Sequence, residues 1–394
     1  MQQTNNPTYR YWLLVSLVLV AGFVQGMLLP VLAVLLEEAG ITSTANGLNA
    51  TALYIGILLA SPFIEQPLRK FGYKPLITTG VIAVVTALLI LPLWQAFWFW
   101  FVLRMIIGIG DNLIHFATQV WITSTADPAK RGRSLAIYGL AFGMGFGVGP
   151  IMTQLLTVHE SLPFLITAFS SLFVWLFLLR LKNEWPSEDF DDHLNIQMPW
   201  MMRYKQTIKL AWFALLPGFS FGYLEASIHG SYPIYAIRAG ISLDWVTIFL
   251  PAFVFGSLIT QLPLGMLSDR WGRKRVLMLL LASGFIIFSS MPMLESSMIA
   301  LLTGFSMLGM LLGSLYSLGL MYLADLLPKQ LLPTGNVLMA ISFSLGSMSG
   351  PVAGGIVIDQ FGTGSIYLSM AFMLFIIWSL GWLFHPNKNA PDVK

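Results

Sequence analysis

The chain contains no cysteine. That excludes a disulfide framework, a thiolate metal site and a thiol nucleophile. Charge is scarce as well: Asp, Glu, Lys and Arg make up 10% of the 394 residues, where soluble domains carry roughly 25%, so a water-soluble fold is excluded. H-E-x-x-H is absent, and with it the metalloprotease constellation; the chain is not expected to be an enzyme. The net charge is only +3. Basic residues are spread over many short loops instead of forming one face, which argues against nucleic acid as a partner.

What the chain has in quantity is apolar residues, 56% of the total, with a mean hydropathy of +0.76. A helix crosses a bilayer with about 20 mostly apolar residues. Twelve such runs emerge, at 11–36, 47–66, 76–94, 98–122, 135–157, 162–181, 208–236, 245–266, 276–293, 297–324, 332–357 and 363–384. The expected fold is an all-α integral membrane protein. The first run follows Arg10 and is longer than a signal-peptide core of roughly 7–15 residues, so it is expected to stay in the mature protein. An amino terminus in the cytoplasm puts all but two of the 21 Lys and Arg residues on that side, Arg238 falling in an outer loop and Arg104 in a span. The positive-inside rule then predicts both termini in the cytoplasm. The compact loops suggest a multi-pass protein of a bacterial inner (plasma) membrane.

The longest polar stretch between runs, about 182–207, holds Glu184, Glu188, Asp189, Asp191 and Asp192, then Trp200, Arg203, Tyr204 and Lys205. It divides the runs six and six: a six-helix bundle over 1–183, a linker over 184–207 and a second six-helix bundle over 208–394. The acidic part reads as solvated and the basic-aromatic part as lying at the lipid interface. Internal repetition supports the division. Gly265-Met-Leu-Ser-Asp269-Arg270-Trp-Gly272-Arg273-Lys274 follows the eighth run, and Glu65-Gln-Pro-Leu-Arg69-Lys70-Phe-Gly72-Tyr-Lys74 the second. Gly145-x-x-x-Gly149-Pro150 in the fifth run returns as Gly346-x-x-x-Gly350-Pro351, with Gly354 and Gly355, in the eleventh.

These residues resemble the major facilitator superfamily, whose loop signature is G-x-x-x-D-R-x-G-R-K, and the resemblance covers nearly the whole chain. It implies the major facilitator fold, twelve transmembrane helices in two pseudo-symmetric six-helix bundles, and secondary transport. The Gly-Pro signature of the fifth run, and Arg104-x-x-x-Gly108-x-Gly110 in the fourth, are similar to those of the drug:proton antiporters of that superfamily. The first loop departs from the pattern, with Glu65 where the glycine belongs and Arg69 where the aspartate belongs. The fifth run carries Thr153-Gln154 where the family has paired glycines.

Small residues four apart let helices approach closely where no hydrophobic effect drives association, and proline bends a helix by removing a backbone hydrogen bond. Gly145, Gly149, Pro150, Gly346, Gly350, Pro351, Gly354 and Gly355 are therefore expected to form packing seams. In the second loop Asp269 can pair with Arg270, Arg273 or Lys274, or cap a neighbouring helix, while Gly272 permits the reversal. The segment from Gly265 to Lys274 reads as a gate latch; the plainer alternative is a turn that fixes topology.

An ionisable group in lipid is costly and marks a functional position. Removing loop and run-end residues leaves Arg104, Asp111 and His115 in the fourth run, and Glu225 and His229 in the seventh. At about 100° per residue the first three share one stripe with Gly108, and Glu225 and His229, four apart, share another. The simplest arrangement turns both stripes toward a central cavity, one from each half. Asp111 or Glu225 would carry a proton, Arg104 would tune the ionisation of Asp111, and Gln25, Tyr54, Asn112 and Tyr232 are candidates to line the cavity. A structural alternative is an ion pair between Arg104 and Asp111, or a network through His115. Two histidines and two carboxylates are too scattered to argue for a metal site, and neither metal nor cofactor is expected.

The reading that follows is a transporter of a small amphipathic or hydrophobic solute by alternating access, as a proton-coupled exporter, with solute, protons and the lipid bilayer as partners and a functional monomer. Aromatic residues at 13% and 20 methionines suit a cavity that repacks around hydrophobic ligands. The alternative is a carrier or flippase for a specific solute or lipid-like molecule, in which the embedded charges bind a headgroup and no proton is exchanged. If the second loop is a latch, Asp269→Asn shifts the population between inward-closed and inward-open states. Double-label distances across the cytoplasmic ends of the second and eighth runs would show it, and an unchanged distribution counts against the latch.

Overall fold

Hydrocarbon offers no water to a free N–H or C=O, so apolar runs close their hydrogen bonds internally as helices. The computed structural model describes residues 6–127, 130–186, 199–362 and 364–385; Glu188, Asp189, Asp191 and Asp192, read above as solvated linker, lie outside them. Among the described residues ten helices are long and apolar enough to span a membrane. A pair bent by 58°, Ser43–Phe63 with Glu65–Phe71, makes a further span, and the shorter apolar helix Leu162–Leu178 occupies the sixth run. The protein is thus an all-helical multi-pass membrane protein with a helix or bent pair on each of the twelve runs. The bend in the second span falls at Ile64, just after the 3₁₀ turn Ser61–Phe63 that contains Pro62.

The chain forms two compact units, one of Met1–Ile41 and Leu48–Phe190, the other of Thr42–Gly47 and Asp191–Lys394. Unit 1 is built from α1 (Pro7–Glu38), α2 (Ser43–Ala60, its first turn grouping with unit 2), α3 (Glu65–Phe71), α4 (Tyr73–Ile90), α5 (Phe97–Thr125), α6 (Arg131–Val148) and α7 (Leu162–Leu178). Its helices meet through glycine. A Cβ built on Gly145 of α6 would stand 1.9 Å from the Leu19 carbonyl oxygen of α1, and one on Gly26 of α1 2.1 Å from that of Phe146. Gly108 of α5 gives the same close approach to α2, where a Cβ would lie 2.0 Å from the Leu53 oxygen. Such backbone contact supplies the dispersion that hydrophobic burial cannot supply in lipid.

Unit 2 comprises α8 (Trp200–Gly230), α9 (Tyr232–Arg238), α10 (Leu243–Trp271), α11 (Arg273–Leu294), α12 (Met298–Leu312), α13 (Leu315–Leu326), α14 (Leu332–Phe361) and α15 (Ser365–Leu383). α8 and α14 meet as α1 and α6 do: a Cβ on Gly346 would come within 2.1 Å of the Phe219 oxygen, and one on Gly222 within 2.2 Å of that of Phe343. The repeats differ in winding. After Gly145-x-x-x-Gly149-Pro150 the chain continues as nine residues of 3₁₀-helix, Gly149–Thr157, whereas α14 runs through Pro351 as α-helix.

The two signature loops share a device and differ in a pair. Gly72 (φ +83°) and Gly272 (φ +90°) make the reversals, in a region of φ that side chains avoid. Lys74 Nζ then donates to the carbonyl oxygens of Leu179 and Leu181 at the end of α7, and Lys274 Nζ to that of Phe384 past the end of α15, a cation at a helix C-terminus in both units. The carboxylates are used differently. Glu65 pairs with Arg69 one turn on, at 2.7 Å, with both side chains exposed. Asp269 lies 3.3 Å from Arg273, whose Nε also bonds Asp325 at the end of α13.

The seam between α1 and α6 sets a paired test. Gly145→Ala forces those helices apart and costs about 1–3 kcal/mol, as overpacking does. Gly139 lies on the same helix with open space around it, so Gly139→Ala is neutral or stabilising by about 0.5–1 kcal/mol. Thermal unfolding of both variants in detergent, relative to the unsubstituted chain, measures the two signs.

Candidate functional site

Arg104 has no exposed surface, and a guanidinium in such a place must find its acceptors within the protein. Because Gly108 lets α2 touch α5, Asn49 reaches Arg104, and its Oδ1 accepts from Nη1 at 2.8 Å. Asn49 Nδ2 is committed to the Phe97 carbonyl oxygen at 3.0 Å, which fixes the amide with its oxygen toward the arginine. Nη2 donates to the Leu28 carbonyl oxygen of α1 at 3.3 Å. Arg104 thus ties α1, α2 and α5 together.

Asp111, two turns on and 3% exposed, does not meet Arg104. Its Oδ2 accepts from Gln25 Nε2 of α1 and lies 3.7 Å from His115 Nε2. His115 Nδ1 contacts Tyr138 Oη of α6 at 2.6 Å, and Tyr138 Oη also donates to the His115 carbonyl oxygen at 3.3 Å. A small cavity with room for about one water molecule adjoins Asp111, walled by Val20 and Val24 of α1, Val81 and Val84 of α4, Ile114 and Ser171. The stripe read from the sequence is therefore divided. Arg104 serves helix assembly with Asn49, and Asp111 and His115 form a second group with Gln25 and Tyr138.

The remaining sequence candidates separate in the same manner. Asn112 Nδ2 donates to the Ile57 carbonyl oxygen at 2.7 Å and to Ser61 Oγ at 2.8 Å, holding α5 to α2. Tyr54 is buried on α2. In unit 2, His229 is fully buried and its Nδ1 lies 2.9 Å from the Glu225 carbonyl oxygen of its own helix. Glu225 is half-buried, and its carboxylate makes no hydrogen bond or ion pair with any described residue. Tyr232 is buried at the start of α9, in ring contact with Phe305 at 4.8 Å and accepting from Tyr367 Oη at 3.3 Å.

Three polar sites were not visible in the sequence. Glu184, read as part of a solvated linker, pairs with Arg10 at 2.5 Å and accepts from Trp121 Nε1 at 2.8 Å, while Trp121 stacks on Tyr73 at 5.1 Å. A buried indole N–H and a half-buried guanidinium both need an acceptor, and this carboxylate supplies it. Within unit 2, Asp359 accepts from the N–H groups of Ser43 (3.1 Å) and Thr44 (2.9 Å), capping the first turn of α2, and pairs with Arg238 at 3.1 Å. Tyr235 Oη donates to Glu295 and accepts from the Gly364 N–H. Only the span-end position of these acids hinted at such roles.

A family model described as Major Facilitator Superfamily matches residues 14–255 and 210–394. The uncharacterized MFS-type transporter YfkF of Bacillus subtilis (strain 168) is 44% identical over 384 residues, 97% of each chain. The uncharacterized MFS-type transporter Ent638_1421 of Enterobacter sp. (strain 638) is 22% identical over 84% of each. Among solved structures, the nucleoside transporter NupG superposes with a TM-score of 0.74 at 13% identity, over 95% of this chain and 98% of that one. A variant of NupG gives a TM-score of 0.72 at 14% identity, covering 95% and 99%.

The Arg104 cradle yields a stability prediction. Asn49→Leu removes the one side chain among the described residues that accepts from this guanidinium and leaves a buried charge undercompensated, at a cost of about 3–5 kcal/mol. Asn49→Asp keeps an acceptor oxygen in place and costs less. Detergent thermal unfolding of the two variants gives the order.

Proposed function

The chain belongs to the major facilitator superfamily, and from that premise we propose that this transporter exports a small amphipathic solute in exchange for protons, with Asp111 and Glu225 as the proton-binding groups. The observation that carries the reading is the run of contacts from Gln25 through Asp111 and His115 to Tyr138. Tyr138 Oη donates to the His115 carbonyl oxygen, so it accepts the proton of Nδ1 at 2.6 Å. Nε2 then turns its lone pair toward Asp111 Oδ2, 3.7 Å away. Two acceptors face one another, and a proton added to either makes the contact attractive. Taking up a proton therefore tightens α5 against itself, and it is felt by α1 through Gln25 and by α6 through Tyr138.

Glu225 is the acid of unit 2, and its carboxylate stands without a protein partner among the described residues, open to a proton or to the cationic group of a solute. A solute and a proton that occupy these acids in turn, at alternate openings, exchange by antiport. The positive-inside count supports a protein with both termini in the cytoplasm, so a proton gradient directed inward would drive export.

The test uses the purified chain in vesicles holding an internal pH dye, challenged with cationic, neutral and anionic amphipathic compounds. Export by antiport predicts substrate-dependent proton movement. Asp111→Asn or Glu225→Gln, whichever residue carries the coupling proton, abolishes uphill transport while solute binding survives. Uphill transport retained in the double variant removes both acids from the coupling. Solute flux that ignores an imposed pH gradient replaces antiport with a carrier or flippase that exchanges no proton.

A further inference from the structure

α8 has 31 residues and is about 46 Å long at 1.5 Å per residue, whereas a hydrocarbon core is about 30 Å thick. A third of it must lie outside that core. The helix breaks at Ala211, whose φ of −138° and ψ of 25° are not helical. The break is held by a ring cluster: Trp212 meets Phe384 at 5.4 Å, Phe213 stacks on Phe384 at 5.7 Å, and Lys274 lies over both phenylalanines. Residues 200–210 thus form a separate amphipathic segment ahead of a span of about 20 residues.

The surface of that segment has an unusual composition. Met201, Met202 and Ile208 are 64%, 58% and 45% exposed, and Lys205 and Lys209 are exposed beside them. At about 100° per residue these five fall within an arc of about 120°. Thr207, on the other side, is fully buried. Lys205 and Lys209 make no hydrogen bond or ion pair with any described residue. Apolar side chains interleaved with lysines match the boundary between acyl chains and headgroups: the lysine stems lie along the apolar surface and the ammonium groups reach outward.

We propose that residues 200–210 dock on the membrane surface as a recognition helix for anionic phospholipid headgroups, with Lys205 and Lys209 bound to lipid phosphate and Met201, Met202 and Ile208 immersed beneath them. The charge selects the lipid, since a basic residue near an anionic surface gains about 1 kcal/mol. The segment leads directly into the span that bears Glu225 and His229, so lipid charge has a mechanical route to that helix. The proposal does not depend on proton coupling.

A chain without cysteine accepts single nitroxide labels with no background. Met202→Cys and Ile208→Cys report the docking face, and Ile286→Cys, 64% exposed on α11, reports a helix surface away from it. Accessibility to oxygen and to a water-soluble nickel chelate is measured in bilayers of phosphatidylcholine, alone or mixed with phosphatidylglycerol. Docking predicts that the labels at 202 and 208 move deeper when phosphatidylglycerol is added, while the label at 286 does not respond. Lys205→Gln with Lys209→Gln should abolish the response, a roughly thirtyfold loss of preference at about 1 kcal/mol for each lysine. Equal depth in both bilayers with the lysines present overturns the proposal, and so does a response that persists without them. Labels at 202 and 208 shielded from both reagents in detergent would show that protein covers the face, a second copy or another part of this chain, and would overturn it too.

Discussion

Hydrocarbon cannot hydrogen-bond, and a charge within the spans must be met by the protein itself. The fully buried Arg104 shows how. Its acceptors lie on two other helices, Asn49 on α2 and the Leu28 carbonyl oxygen on α1, and Asn49 comes within reach because Gly108 has no side chain to hold α2 away. Close packing and polar satisfaction are one requirement here. Glycine permits the approach, the approach permits the hydrogen bond, and the bond fixes which helices are neighbours.

The two units solve the same problem with diverged parts. Each uses a positive-φ glycine to reverse the chain and a lysine two residues later to cap the end of its last long helix. Around that shared device the carboxylates have moved. In unit 1 Glu65 and Arg69 pair within one short exposed helix; in unit 2 Arg273 draws Asp269 together with Asp325 of another helix. The loop of unit 2 thereby ties α10, α11 and α13. The glycine-proline signatures have likewise diverged, into 3₁₀ winding after Gly149 and into α-helix through Pro351.

The acids inside the spans differ in the company they keep. Asp111 is embedded in a chain of side chains from three helices, so a change in its protonation reaches α1 and α6 directly. Among the described residues Glu225 has no such chain.

The sequence by itself determined the membrane class, the twelve runs, the repeated loops and the short list of embedded charges, because hydropathy, spacing and residue scarcity are local quantities. It also placed Glu225 and His229 on one face, since four residues on a helix always share one. Which charge meets which was beyond it. Arg104 and Asp111 lie on one stripe, yet the first pairs with Asn49 and the second with Gln25, a choice made by which helix comes closest at each level. Glu184 reads as linker, and only folding brings Arg10 and Trp121 to it across 174 and 63 residues. Partners so distant in sequence are set by helix approach, and that is fixed by backbone contact at glycines whose facing residues only the tertiary structure supplies.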